Sequence, residues 1–320
     1  MKINLIFKKA LLLLIAPLFA ISCSQEKSEA ISTDETREVT FTATISPETR
    51  GTMFSAEKFD HFKISAYNWA KGWVLLDVDV DVVLMEDGTF SWSSTEAYEI
   101  PTTGKTTVYA YADFSEVEPK ETGITFSKDH HQLNYVMPDD ITKHPHLLLN
   151  NPTVLEEGTE SLAVNLDFFF GLSTLNFSVK GDYKITSLSI KNFAHDGYYD
   201  FGETTWTNYG VKPEPFNVDI KEIEAPEADA NAVQLIEDNG YIFVVPQTVA
   251  NFIIIAEVED NGETVEKTLE FSSKDWKNAM THTYTINTGT FPNVEISVEV
   301  EESESSQWTD GGELTATATE

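Results

Sequence analysis

Arginine and cysteine are almost absent from this chain of 320 residues. Cys23 is the only cysteine, which excludes a disulfide framework, so core packing must stabilise the fold. Arg37 and Arg50 are the only two arginines, so lysines make up the other 19 of the 21 basic residues. These 21 face 53 acidic residues and leave a formal net charge of -32, a field that repels nucleic acid and anionic membrane surfaces.

The motifs of common catalytic chemistry are also missing. The sequence contains no phosphate-binding glycine loop, no Gly-x-Ser-x-Gly and no His-Glu-x-x-His. His130, His131, His144 and His146 lie near acidic residues, but a zinc site needs ligands that converge on one ion. We therefore expect no enzymatic activity, no metal site and no cofactor.

One long hydrophobic run occurs, and it lies near the N-terminus. It spans residues 10–21 and follows Lys2, Lys8 and Lys9, as in a signal peptide that is too short to cross a bilayer. Small residues directly before Cys23 resemble a bacterial lipobox, in which this cysteine is lipidated, for example with palmitate. We predict a lipoprotein signal peptide over 1–22, processed by lipoprotein-processing enzymes, and a flexible tether over 23–36 that follows the lipid anchor.

Nearly all of the remaining chain has the pattern of strands and turns. In residues 38–46 the apolar Val39, Phe41, Ala43 and Ile45 alternate with hydroxyl residues, as in a half-buried strand. Turn signals between similar runs predict hairpins at 82–92, 233–245 and 252–271, while 272–280 could form a short helix or a turn.

This pattern predicts an all-β fold of two β-sandwich domains. The mature chain is large for one sandwich, and the polar stretch 150–161 offers a boundary. We expect an N-terminal domain over 37–157, a C-terminal domain over 158–307 and a tail over 308–320.

An aromatic segment leaves a second function open. Residues 196–210 contain Tyr198, Tyr199, Trp206 and Tyr209, whose rings could stack on sugars or pack at the edge of a sandwich. The alternative to a structural role is therefore a lipid-anchored glycan-binding or adhesin module in the outer membrane that does not polymerise.

Five stretches resemble the fimbrillin family, the pilus subunits of anaerobic Gram-negative bacteria. They are VTFTATISPETRGTMF (39–54), LAVNLDFFFGLSTLNFSV (162–179), YIFVVPQTVANFIIIAEV (241–258) with Pro246 and Gln247 at its turn, WKNAMTHTYTINTG (276–289) and VEISVEVEESESSQWTDGGELTATATE (294–320). Phe170 stands where the family commonly has a histidine. The resemblance implies two transthyretin-like Greek-key sandwiches, lipoprotein export to the outer membrane and assembly into surface fimbriae used for adhesion.

The resemblance also implies a mechanism of assembly, donor-strand exchange with other fimbrial subunits. A trypsin-like, arginine-specific protease would cut the Arg50–Gly51 bond, with Arg37 as the alternative site, and release the first strand. A C-terminal strand of another subunit would then fill the groove, since a bared strand edge and its pockets accept an added strand. The leaving residues would be Val39, Phe41, Ala43 and Ile45, and the donor candidates are Leu314, Ala316 and Ala318. A longer alternating run, Val294, Ile296, Val298 and Val300, lies before this tail and has the pattern of a core strand of the second domain; which of the two inserts stays open. The resemblance does not identify the receptor.

Overall fold

Strands form nearly all of the regular structure. The computed structural model describes residues 35–45, 59–85, 91–114, 122–158, 160–181, 183–223, 231–236, 241–260, 262–271, 273–288 and 297–304. In chain order the first strands are β1 (Thr36–Ile45), β2 (His61–Asn68), β3 (Gly72–Leu84), β4 (Ser91–Ser94), β5 (Tyr98–Pro101), β6 (Thr106–Phe114), β7 (Ile124–Ser127), β8 (Gln132–Val136), β9 (His146–Asn150), β10 (Thr153–Leu155) and β11 (Leu162–Phe170). The later strands are β12 (Ser173–Lys180), β13 (Lys184–Lys191), β14 (Asp196–Asp200), β15 (Thr205–Asn208), β16 (Phe216–Val218), β17 (Val233–Gln234), β18 (Ile242–Val244), β19 (Gln247–Val249), β20 (Phe252–Asp260), β21 (Glu263–Phe271), β22 (Lys274–Trp276), β23 (Met280–Asn287) and β24 (Ser297–Glu304).

Helical structure is confined to one 3₁₀ turn, Ile141–Lys143, in the described part of the chain. In the described residues no helix has the length and hydrophobicity of a membrane-spanning segment. The predicted all-β class is therefore confirmed for these residues, which agrees with the alternating pattern of the sequence.

Nine strands form the first sheet, in the order β10-β6-β2-β3-β4-β1-β11-β9, with β5 also paired to β1. Strand β9 pairs with β6 as well as β11, so the path of pairing closes on itself. The inward side chains form one hydrophobic core, in which Phe41, Phe62, Trp92 and Phe168 are fully buried.

Four smaller sheets contain the remaining strands. Their orders are β17-β12-β23-β24 with β18 also on β12, β16-β13-β20-β21, β15-β14-β8-β7 and β19-β22. Together they surround a second core, whose largest members include Phe177, Phe252, Trp276 and Tyr284.

The two cores meet at shared strands. In β6, Val108 and Ala110 belong to the first core, whereas Tyr109 and Tyr111 belong to the second. Successive side chains of a strand point to opposite faces, so a strand with apolar residues on both faces can serve two cores.

The sheet pairing tests several local predictions. The hairpins β3–β4 and β20–β21 are confirmed. The predicted hairpin at 233–245 is wrong, because β17 and β18 both pair with β12. The expected helix or turn at 272–280 is also wrong in part, because β22 pairs with β19.

Strand β11 lies C-terminal to the predicted domain boundary at 157, yet it belongs to the first sheet. It pairs in parallel with β1, from Val39 opposite Leu162 to Ile45 opposite Phe168. Strand β12, which follows β11 in the chain, lies in another sheet. The division into two domains stays a prediction.

Candidate functional site

Strand β1 lies inside the first sheet with neighbours on both edges. One edge pairs in parallel with β11 along seven residues, from Val39 to Ile45. The other edge pairs antiparallel with β5 around Arg37 and with β4 around Ala43. Withdrawal of β1 would therefore leave unpaired backbone groups on both sides of the gap, on β11 and on β4 and β5.

The four apolar side chains that the sequence predicts to face inward all do so. Val39, Phe41 and Ala43 have no exposed surface, and Ile45 is 1% exposed. The Phe41 ring packs against Phe62 at 6.4 Å and is 5.7 Å from the ring of Tyr98, in centroid distances. These side chains are packed in the first core, so the sites that they occupy form a row of apolar pockets along β1.

The outer face of β1 carries its threonines, which contact the side chains of β11. Thr42 hydrogen-bonds to Asn165, and Thr44 hydrogen-bonds to Asp167. On the other edge, the backbone N–H of Phe41 donates to Ser94 Oγ at 3.0 Å. The alternation of threonine and apolar residues therefore suits both faces of this position in the sheet.

Arg37 belongs to the strand rather than preceding it. β1 begins at Thr36, two residues earlier than predicted, and the Arg37 side chain is only 5% exposed. Its Nη2 donates to the carbonyl oxygen of Glu156 at 2.8 Å. One of the two arginines therefore anchors the start of β1 to the segment that follows β10.

The other predicted site residues lie outside the described residues. These include the signal peptide at 1–22, most of the tether and the tail at 308–320, and in particular Cys23, Arg50, Gly51, Leu314, Ala316 and Ala318. Before the tail, β24 pairs antiparallel with β23, so the run that the sequence indicated as a core strand is confirmed as a strand from Ser297.

Two of the histidines that suggested a metal site form hydrogen bonds within the fold. His131 Nδ1 lies 2.9 Å from Tyr109 Oη, and His144 Nε2 donates to the carbonyl of Pro138 at 2.8 Å. Among the residues that the structure describes, no group of three or more His, Cys, Asp or Glu side chains could hold a metal ion.

Gln247, in the Pro-Gln turn, has a buried side chain that hydrogen-bonds to three backbone groups, a role that the sequence did not reveal. Its Oε1 accepts from the backbone N–H of Ala194 at 2.7 Å. Its Nε2 donates to the carbonyls of Ala194 and Val245 at 2.9 and 3.0 Å. These three bonds link the turn to neighbouring backbone and use both donor hydrogens of the amide and one acceptor position of its oxygen.

The aromatic segment 196–210 divides between two faces of the β14–β15 hairpin. Tyr198 and Tyr209 pack together with ring centroids 5.5 Å apart, and Tyr209 is 61% exposed. Tyr199 is 2% exposed and packs beside Trp206 at 5.7 Å. Asp196 and Gly197 are the first two residues of β14.

Comparison with known protein families identifies the family to which the chain belongs. The profile described as fimbrillin-like matches residues 49–304. The chain belongs to the fimbrillin-like family. Membership in this family supports a role in fimbriae and cell adhesion, together with other fimbrial subunits, and implies a location at the cell surface.

Three solved structures share the fold of this fimbrillin-like chain, each a candidate cell adhesion protein with a TM-score of 0.50. The Bacteroides ovatus protein is 12% identical, and the match covers 83% of this chain and 97% of that one. The Bacteroides uniformis protein is 15% identical with 84% and 98% covered, and the Parabacteroides distasonis protein is 7% identical with 84% and 98% covered. No curated protein matches the sequence.

Proposed function

We propose that this fimbrillin-like chain is a structural subunit of cell-surface fimbriae that supports adhesion. It is exported as a lipoprotein, held in the outer membrane through Cys23 and built from two transthyretin-like Greek-key sandwiches. Assembly proceeds by protease-triggered donor-strand exchange, in which β1 leaves and a C-terminal strand of another subunit takes its place.

The position of β1 is the single observation that carries this proposal. Its apolar side chains fill the core and both of its backbone edges are paired. A groove left by this strand would expose apolar pockets and two rows of unpaired N–H and C=O groups, which cost several kcal/mol where they become buried without partners. Such a groove favours the addition of another strand, with pockets that select alternate side chains.

The two arginines differ as protease sites. Arg50 comes five residues after Ile45, the last residue of β1, and stands in the turn-rich sequence Pro47-Glu48-Thr49-Arg50-Gly51. Arg37 is buried within the strand and bonded to the Glu156 carbonyl. A protease needs an accessible, extended segment, so cleavage after Arg50 is favoured over cleavage after Arg37.

The tail supports the donor role because its sequence repeats that of β1 in the same direction. Residues 313–320 (ELTATATE) align with residues 38–45 (EVTFTATI) without a gap. In this alignment Leu314, Ala316 and Ala318 take the places of Val39, Phe41 and Ala43. The identical pairs are Glu38 and Glu313, Thr40 and Thr315, Thr42 and Thr317, Ala43 and Ala318, and Thr44 and Thr319.

Such a copy can reproduce the outer contacts of β1 and supplies apolar side chains at three of its four inward positions, with Glu320 in the place of Ile45. The threonines would meet Asn165 and Asp167 of β11, as Thr42 and Thr44 do in the closed subunit. The apolar side chains would enter the pockets of the first core. A tail inserted in the direction of β1 would run parallel to β11 and antiparallel to β4.

Digestion with an arginine-specific protease tests this mechanism. Residues 24–320 are treated with the protease, and new N-termini and particle sizes are measured in the same samples. We expect a new N-terminus at Gly51, loss of the segment that contains β1 and a ladder of higher masses.

Two variants serve as controls. Arg50→Lys keeps the positive charge but removes the cleavage site, so it should stay uncut and monomeric. A chain truncated after Asp310 should be cut at Gly51 yet form no ladder. A full-length chain that is cut at Gly51 and remains monomeric would contradict donor-strand exchange.

The alternative is a lipid-anchored glycan-binding or adhesin module that does not polymerise. A cleft beside the aromatic segment, lined by Tyr199 and Trp206, is the observation that favours it. The digestion separates the two functions, since the alternative predicts no ladder under any treatment.

A further inference from the structure

A cleft of about 670 Å³ lies where three parts of the chain meet. The β14–β15 hairpin contributes Tyr199 and Trp206, a cross-strand pair. The β19–β22 pair contributes Thr248 and Asp275, which are also opposite each other. Phe169 at the end of β11 contributes the third part. The volume lies in the range of pockets that bind small molecules.

Two hydrogen-bond donors at this cleft have no partner within the protein. The Tyr199 hydroxyl is buried without a hydrogen bond, and so is the indole Nε1 of the partly buried Trp206. Buried polar groups are nearly always paired, and an unpaired donor carries a desolvation cost. Burial also raises the pKa of Tyr199 to about 12, so the hydroxyl keeps its proton and can donate at neutral pH.

Two of the other polar groups that line the cleft form hydrogen bonds within the protein and therefore only shape it. The Gln247 amide makes its three bonds to backbone atoms, and Trp276 Nε1 donates to Tyr284 Oη at 3.0 Å. Unlike these two groups, the Tyr199 hydroxyl and the Trp206 indole N–H have no hydrogen-bond partner among the described residues.

The charges at the rim indicate what kind of molecule this is. Asp275 accepts from Thr248 Oγ1 at 3.0 Å and lies 3.9 Å from Lys277 Nζ, so the rim carries one charge of each sign. Hydroxyl and amide side chains supply much of the remaining lining, including Asn151, Thr205 and Asn208. The net charge of -32 repels anions from the molecule as a whole.

We propose that this cleft is a binding site for an uncharged saccharide, one or two sugar rings in size. The Trp206 and Phe169 rings contact the apolar face of a ring, while Tyr199 Oη and Trp206 Nε1 donate to its hydroxyl oxygens. This function goes beyond fimbrial assembly and requires neither cleavage nor a second subunit.

Saturation-transfer NMR on the uncut chain, residues 24–320, tests the proposal. The probes are the methyl glycosides of glucose, galactose, mannose and N-acetylglucosamine, with cellobiose, lactose and glucuronate. Each is used at about 10 mM, ten times the dissociation constant expected for a millimolar ligand. We expect saturation transfer to at least one neutral sugar and none to glucuronate.

Two conservative variants then assign the binding to the cleft. Tyr199→Phe and Trp206→Phe each remove one donor but keep an aromatic ring, and loss of an unpaired hydroxyl should not unfold the protein. Each should raise the dissociation constant about two- to tenfold, the value of one hydrogen bond. Tyr198→Phe is the matched control, because Tyr198 lies on the opposite face of the hairpin and should leave the constant unchanged.

Three outcomes would overturn the proposal. They are the absence of saturation transfer to every neutral sugar, transfer to glucuronate alone, and equal affinities in Tyr198→Phe and Tyr199→Phe. Because the chain is uncut and monomeric in this experiment, failure here leaves the assembly mechanism unaffected.

Discussion

His144 illustrates how a single polar residue is held inside this fold. Its Nδ1 accepts from the backbone N–H of Phe243 at 3.0 Å, and its Nε2 donates to the Pro138 carbonyl at 2.8 Å. A neutral imidazole can accept at Nδ1 and donate at Nε2, so it satisfies both bonds. A protonated ring carries a hydrogen on both nitrogens, so its Nδ1–H would face the N–H of Phe243 and that bond would be lost. Burial therefore lowers the pKa of His144 to about 4.

This residue predicts a pH dependence of stability. Above pH 6.5 the ring is neutral in both the folded and unfolded states. Between pH 6.5 and about 4 only the unfolded state takes up the proton, so the free energy of unfolding falls as the pH falls. The loss from His144 should approach about 3 kcal/mol at the lower end. Urea unfolding at pH 7.5, 5.5 and 4.5 measures it.

His144→Gln is the informative variant, because an amide can accept and donate in the same positions but does not titrate. Its unfolding free energy should depend less on pH than that of the wild type over this window. His130→Gln, at an exposed position, is the control and should follow the wild type. Equal pH profiles for His144→Gln and the wild type would contradict the assignment.

At the scale of the element, β1 and the tail differ most at two inward positions. Ile45, which is 1% exposed, aligns with Glu320. Phe41 fills a pocket beside Phe62 and Tyr98, whereas the aligned residue of the tail is Ala316. Ala43, which lies opposite Trp92, aligns with another alanine, Ala318. In the proposed polymer the Phe41 pocket would thus be underfilled and the Ala43 pocket matched.

Substitutions in the tail test this register. Ala316→Phe should fill the Phe41 pocket and stabilise the polymer by about 2 kcal/mol per interface, the burial value of such a side chain. Ala318→Phe, the same change two residues later, should meet Trp92 and destabilise the interface by about 1–3 kcal/mol. The urea concentration at which half of the polymer dissociates is measured for each variant and gives the two changes in interface free energy.

The two variants share their change in size and hydrophobicity, so a general effect of added apolar surface would move both in the same direction. Opposite shifts support the alignment of the tail with β1. A stronger polymer with Ala318→Phe than with Ala316→Phe would show that the tail inserts in another register.

At the scale of the whole molecule, the excess of acidic residues determines the net charge. Lysines lie beside carboxylates, as Lys105 does with Glu156 at 2.9 Å and Lys212 with Asp196 at 2.8 Å, but they are too few to balance the charge. Removal of the predicted signal peptide would take away three lysines and no acid, so the net charge would change from -32 to -35. Subunits that assemble with such charges must approach against mutual repulsion.

Assembly after cleavage should therefore accelerate with salt. The screening length falls from about 10 Å at 0.1 M to about 3 Å at 1 M ionic strength, which weakens the repulsion between subunits. Light scattering measures growth in increasing NaCl, and the yield of Gly51 termini in the same samples corrects for any effect on the protease. Growth that slows with salt at equal cleavage would indicate attraction between opposite charges at the interface.

Local features of this fold were predictable, whereas long-range ones were not. The alternation of residues 38–46 correctly predicted a strand and the inward face of Val39, Phe41, Ala43 and Ile45. The hairpin β20–β21 follows from a glycine at a turn, Gly262, whose φ of 83° favours glycine. In contrast, β17 and β18 pair with β12 rather than with each other, because a nearby turn signal does not determine which strand buries their apolar faces best.

The sequence by itself determined the all-β class, the inward residues of β1, the absence of a disulfide framework and the resemblance to fimbrillins, because these depend on composition, period and local pattern. Only the tertiary structure decided that β1 pairs with β11, that Arg37 is buried against Glu156 and that Tyr199 and Trp206 share a cleft with Asp275. These juxtapositions join residues far apart in the chain. They are selected by the packing of whole faces, which no local pattern encodes.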